Sequence, residues 1–348
     1  MTTKKYFAAF SGGDGFGSRF GEIFSPRELS VLYIIKGGPG TGKSTFMRKI
    51  GKAAEERGMS PEYYFCSSDP SSLDGVMIRE ISAAIVDGTA PHVTEAAFPG
   101  ACERVLDFTS ALDNASLMQS RRKIEELTAE SAESYSAAYA HLRAAKIEKL
   151  LEMSLFKNAY DAKKARAFAE RLVSRMKCGG NEREYITSTF CREGFYRLKA
   201  MPLSAKSVYT VGEGSGGYLM MADILTAARE RGVMCAFSRD PILSELISEI
   251  YIESEGVYIC CEREAALDMP EKKTINMRRF LSRDELCMRR APIREARKIQ
   301  SAMCLAAKNR LAAASAAHDE LERIYSENTD FSVIDAMLCD VIKELFEK

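Results

Sequence analysis

VLYIIKGGPGTGKST, residues 31–45, is the stretch from which the fold is read. VLYIIK is a short, apolar, β-branched run that ends on glycine, so it reads as a buried strand. Beyond it, Lys43 to Arg57 carries apolar residues at helical spacing. The loop between them fits GxxxxGK[ST] at Gly37, Gly42, Lys43 and Ser44, in the strand–loop–helix setting that this phosphate-binding pattern requires.

Each residue type in the loop has its own reason. Gly37, Gly38, Gly40 and Gly42, with Pro39 and Thr41 between them, let the backbone turn and present its amides at the positive end of a helix. Lys43 adds a cation for β and γ phosphates. Ser44 offers an oxygen to Mg²⁺, and Thr45 can bond an α phosphate. A nucleoside triphosphate with Mg²⁺ is therefore the expected ligand.

A phosphate cradle also needs a carboxylate near the metal. Ala83-Ala84-Ile85-Val86-Asp87 is an apolar run ending in an acid, which makes Asp87 the metal-side and water-orienting candidate. CSSDPSSLDG, residues 66–75, follows the strand-like PEYYF and offers Asp69 and Asp74 as further candidates for base, metal or substrate contact. The alternative for that segment is an Asp-Pro turn with a serine capping a following helix. His92 stands in the turn after Asp87 and could sense phosphate or serve only the turn.

The chain repeats itself. Sliding it so that Gly40 falls on Gly214 also sets Gly42 on Gly216, Met47 on Met221, Ile50 on Ile224, and AAEERG (53–58) on AARERG (227–232). Slightly shorter shifts pair Asp69-Pro70 with Asp240-Pro241, then Leu112 with Leu281 and Leu142 with Leu311. In the second copy, GEGSGGYLM (212–220) keeps the glycines, but Gly217 and Tyr218 replace Lys43 and Ser44, and residues near Cys260 and Cys261 replace Asp87. One competent site and one pseudo-site follow, with Arg239 as a group the second half could supply to the first.

Neither glycine nor proline occurs from Ala101 to Cys178, or from Ile293 to the C-terminus, so both stretches favour helix. Ile124, Leu127, Tyr135, Ala138, Leu142, Ile147, Leu150 and Leu151 mark one buried stripe. A segment this long should fold back as a helical hairpin or as long helices packed together, with a break near Asn328 to Phe331 in the second copy. The expected fold is α/β: duplicated P-loop NTPase-type domains with parallel sheets, plus long helical hairpins. Its divisions are 1–110, 111–178, 179–283 and 284–348.

Composition narrows the class. With 46% apolar and 28% charged residues the chain has a folded protein's make-up. Its 49 basic and 49 acidic residues balance, so no global field draws it to nucleic acid or an anionic membrane. Ten scattered cysteines without CxxC spacing and three dispersed histidines frame no metal cluster and fit a reduced, cytoplasmic setting.

At KGGPGTGKST, CSSDPSSLDG and IVDGTAPH the first half resembles a family of bacterial P-loop ATPase-like proteins with tandem P-loop halves, each followed by helices. AASAAHDELERIYSENTDF resembles that family's second helical segment, so the likeness spans nearly the whole chain. The resemblance implies a cytoplasmic ATP-binding protein, and it carries over to Lys43, Ser44, Thr45 and Asp87, and further to Asp69 and Asp74. The degenerate loop at 212–220 departs from two-site hydrolysis. An ATPase whose helices bind a protein partner is the leading expectation, with a small-molecule or nucleotide kinase and a non-hydrolysing switch as alternatives.

Overall fold

Val31–Lys36 is buried because it lies inside a sheet, between two parallel neighbours that cover its backbone edges. In the computed structural model, which describes residues 4–91, 93–198, 205–212, 214–261 and 272–347, two such sheets are joined by helices. The first half comprises β1 (Lys4–Phe7), β2 (Ala9–Gly12), β3 (Gly15–Ser18), α1 (Phe20–Ile23), β4 (Val31–Lys36), α2 (Lys43–Glu55), β5 (Glu62–Phe65), β6 (Leu73–Ile78), β7 (Ala83–Asp87) and β8 (Glu103–Asp107). Helices α3 (Asn114–Gln119), α4 (Arg121–Lys157) and α5 (Ala162–Val173) follow.

The second half repeats this series. It runs β9 (Arg183–Glu184), β10 (Ser188–Cys191), β11 (Gly194–Arg197), β12 (Ser207–Val211), α6 (Ser215–Arg231), β13 (Ala236–Arg239), β14 (Ile247–Ile252), β15 (Val257–Cys260) and β16 (Lys272–Ile275). It ends with α7 (Arg283–Met288), α8 (Arg290–Ser326) and α9 (Phe331–Phe346). The first sheet is ordered β1-β5-β6-β7-β4-β8 and the second β9-β13-β14-β15-β12-β16, the same sequence of equivalents.

The sheets are mixed, where parallel ones were expected. β6 runs antiparallel to both β5 and β7, and β14 does the same between β13 and β15. LDGVMI is buried throughout. A strand buried on both faces, Asp74 included, gives no clue to its direction, and the short links on either side let it return as a meander.

The long helices do not form hairpins within their own halves. α4 and α8, each 37 residues long, lie antiparallel along one another. Leu127 meets Ala317, Leu321 and Ile324 at one end, and Ala138, Leu142 and Ala145 meet Ala307 and Leu311 midway. Each helix carries the chain across to the other sheet. There α5 packs on α6 of the second half, and α9 returns to α2 of the first, placing Ile334, Leu338 and Val341 against Phe46 and Ile50. Each of those buried side chains contributes about 1.5–3 kcal/mol of apolar burial.

The expected stripe on α4 also needs correction. Beyond Leu142 the buried face continues through Ala145, Lys149, Glu152 and Phe156, while Ile147, Leu150 and Leu151 are 65%, 48% and 46% exposed. Helical phase governs here: steps of three and four from Leu142 arrive at Lys149 and Glu152, and their charges are met by partners from the second half. Among the described residues, no helix is long and apolar enough to cross a membrane. Cys260 and Cys261 are buried core residues of the second sheet.

Candidate functional site

Because Ile35 of β4 stands opposite Asp87 of parallel β7, the loop leaving β4 and the acid ending β7 emerge side by side at the carboxyl edge of the sheet. Such an edge is where open α/β sheets place their ligands. Gly40 and Gly42 adopt φ of +71° and +85°, a region in which a side chain would be strained. They turn the chain directly into α2, which starts at Lys43.

The start of α2 carries no side-chain cap and no acidic residue in its first turn. Among the described residues, the backbone amides of Gly38, Gly40, Gly42 and Lys43 find no acceptor. Lys43 Nζ donates to the carbonyl oxygens of Gly37 at 3.1 Å and Gly38 at 2.8 Å, and lies 3.5 Å from Asp87 Oδ2. The other oxygen of Asp87 is fixed by Thr89, accepting from its amide at 2.9 Å and its hydroxyl at 2.6 Å. Thr41 is fully buried and donates its hydroxyl to Gly38 O, which pins the loop from inside. Ser44 Oγ accepts from the Leu73 amide at 2.9 Å, linking α2 to the start of β6.

Lys43, Ser44 and Asp87 are thus brought together with the glycine loop. Other expected residues fall elsewhere. Thr45 is exposed on α2. Asp74 lies within β6 and is buried, at 6% exposure, near Cys66, whose thiol is pushed up first by burial and then by this carboxylate. Asp69 accepts from the amide and hydroxyl of Ser71, and no capped helix follows it, because the chain enters β6. His92 lies outside the described residues.

Arg239 does not reach the first half's loop. It pairs with Glu184 at 3.1 Å and donates to Ser244 O. Arg192, which the sequence reading missed, does cross between the halves. It sits in the β10–β11 turn and contacts Asp69 at 3.4 Å, Asp319 at 3.2 Å and Ser315 Oγ. The hairpins exchange places across the molecule: Thr189 accepts from the Ser11 amide and donates to Ser67 O, while Gly13 donates to Pro241 O. Only the hairpin alternation around CREG could have hinted at this arrangement.

Comparison with protein-family models, curated proteins and solved structures finds no match to the chain.

The second half's loop is closed by side chains. Tyr218 stands at the equivalent of Ser44 and donates to Asp240 Oδ2 at 2.6 Å, and buried Lys149 of α4 reaches the same oxygen at 2.6 Å. Burial alone would raise the Asp240 carboxyl, but the Lys149 ammonium and the Tyr218 hydroxyl outweigh it and hold it below the ordinary range. Glu152, bonded to Arg297 Nε at 2.7 Å, lies beside Gly214, and the Phe156 ring lies against Gly216. β15 ends on buried Cys260 where β7 ends on Asp87.

The first loop also touches the helices. A Cβ on Gly38 would meet the Tyr325 ring at 2.7 Å, one on Gly40 would meet Glu322 O at 2.2 Å, and one on Gly42 would meet Phe331 at 3.3 Å. The end of α8 and the start of α9 therefore lie directly against the loop.

Proposed function

We propose that the chain binds a magnesium nucleoside triphosphate, ATP in the leading case, at residues 37–45 and hydrolyses it there. The second half is then a degenerate copy of the same P-loop NTPase-type unit. The observation that carries this reading is Lys43: its ammonium sits between the Gly37 and Gly38 carbonyls and Asp87 Oδ2, at the head of an uncapped helix. Amides without acceptors beside a cation are what a polyphosphate needs.

The residues fit the metal as well. Mg²⁺ is commonly held by one or two carboxylates together with phosphate oxygens, so a cluster of protein ligands is not required. Ser44 Oγ accepts one hydrogen bond and keeps a second lone pair, and Asp87 Oδ2 faces the loop. When bound, the ion neutralises charge on the β and γ oxygens. Lys43 would exchange its two carbonyl partners for phosphate oxygens, at a cost of about 1 kcal/mol per hydrogen bond. Asp87, oriented by Thr89, would align the attacking water.

Tyr325, Glu322 and Phe331 support a mechanical output, since any movement of the loop on turnover presses on α8 and α9. These helices would carry that movement to a protein partner. Ten free cysteines, Cys178, Cys287 and Cys339 of them exposed, support a reducing, cytoplasmic setting. The test is steady-state ATP turnover with Asp87→Asn. Turnover should fall by about 100-fold or more while binding persists; unchanged turnover would remove Asp87 from the chemistry.

A further inference from the structure

A cavity of about 430 Å³ opens where β8 leaves the sheet on the side of β4 away from Asp87. It is lined by Ser110, Leu112 and Asp113, just past β8, and by Asn328, Thr329 and Val333, from the α8–α9 junction and the start of α9. The two segments are tied by Asp113 N donating to Asn328 O at 2.9 Å and Asp330 N donating to Ala111 O at 2.8 Å. Three residues flanking this lining touch the glycine loop. Phe108 approaches Gly37, Tyr325 approaches Gly38 and Phe331 approaches Gly42.

We propose that this cavity receives the nucleoside end of the nucleotide whose phosphates lie at Lys43, so that one ligand spans both halves of the chain. The assignment rests on the phosphate-site reading given above. Position is the first argument: β7, β4 and β8 are consecutive parallel strands, and a ligand at their carboxyl edge with its terminal phosphate toward Asp87 extends past β4 toward β8. Charge is the second. The lining includes Asp113, Glu327 and Asp330 and no Lys, Arg or His, so it repels phosphate. Asp113 and Asp330 cap α3 and α9, and Glu327 pairs with Arg323. The lone pairs these bonds leave, those of Asp330 Oδ2 and the Thr329 hydroxyl among them, are the acceptors for ribose hydroxyls and an amino-bearing base. Chemistry is the third, because Ala111, Leu112 and Val333 provide apolar surface for a ring beside those polar groups. The volume lies within the range of about 300–1,000 Å³ typical of small-molecule sites.

The test compares MgATP with magnesium tripolyphosphate by calorimetry on the full chain and on Ser110→Trp. Ser110 is exposed, so the larger ring can be carried without disturbing the core. The expected result is MgATP binding weakened by about tenfold or more in the variant, with tripolyphosphate binding unchanged. Wild-type protein that binds ATP no better than tripolyphosphate, or a variant that binds ATP normally, overturns the cavity assignment and leaves the phosphate site standing. Equal weakening of both ligands also overturns it, since the substitution would then act through the loop. Wild-type protein that binds neither ligand overturns the phosphate site and the cavity together.

Discussion

Lys149 Nζ lies 2.6 Å from Asp240 Oδ2, with the two side chains 8% and 4% exposed. The pair joins α4 to the loop after β13, where Tyr218 of α6 donates to the same carboxylate oxygen. Lys149→Met would leave the Asp240 carboxylate buried without its cation. The expected loss of stability is about 3–5 kcal/mol, read by chemical denaturation. Adding Asp240→Asn should restore part of it.

The same pair sets a pH dependence. Asp240 has a folded-state pKa below its unfolded value, so its contribution is fully present above about pH 4 and is lost as pH falls through the folded value. The stability gap between wild type and Asp240→Asn should hold steady from about pH 5 to 8 and narrow below about pH 4. A gap that widened in acid would contradict the assignment.

Gly40 and Gly38 should respond differently to alanine. At Gly40 the new methyl meets the backbone oxygen of Glu322 at φ +71°, and neither can give way cheaply. A loss of about 1–3 kcal/mol is expected. At Gly38 the obstacle is the Tyr325 ring, which can rotate, so Gly38→Ala should cost less and be relieved by Tyr325→Ala. Denaturation midpoints of the three variants check this.

The exchanged helices make the first sheet depend on the chain's last segment. Leu338 of α9 is 7% exposed and belongs to the core that also holds Phe46 and Ile50. Leu338→Ala should cost about 2–5 kcal/mol. Hydrogen exchange should speed up in α2, well before α6 is affected.

These dependencies show what could be read from residues alone. The β4–loop–α2 unit and the Asp87 strand end were legible because their signals are local: an apolar run, glycines at fixed spacing, a lysine and a hydroxyl. Their meeting in space followed from parallel pairing of β4 with β7. The reversal of β6, the crossing of α5 and α9, and Arg192 beside Asp69 were not legible, since each depends on partners far away in sequence. Lys149 and Glu152 were hidden for the same reason, as charged residues on a helix face are ordinarily solvated until a distant Asp240 or Arg297 gives them partners.

Calorimetric titration of wild-type protein and Lys43→Ala with magnesium ATP tests the phosphate site most directly. Wild type should bind and Lys43→Ala should bind about 100-fold more weakly or not at all, a difference of about 2.7 kcal/mol or more. Equal affinity in the two proteins, or no heat from wild type, would mean that residues 37–45 do not hold the nucleotide.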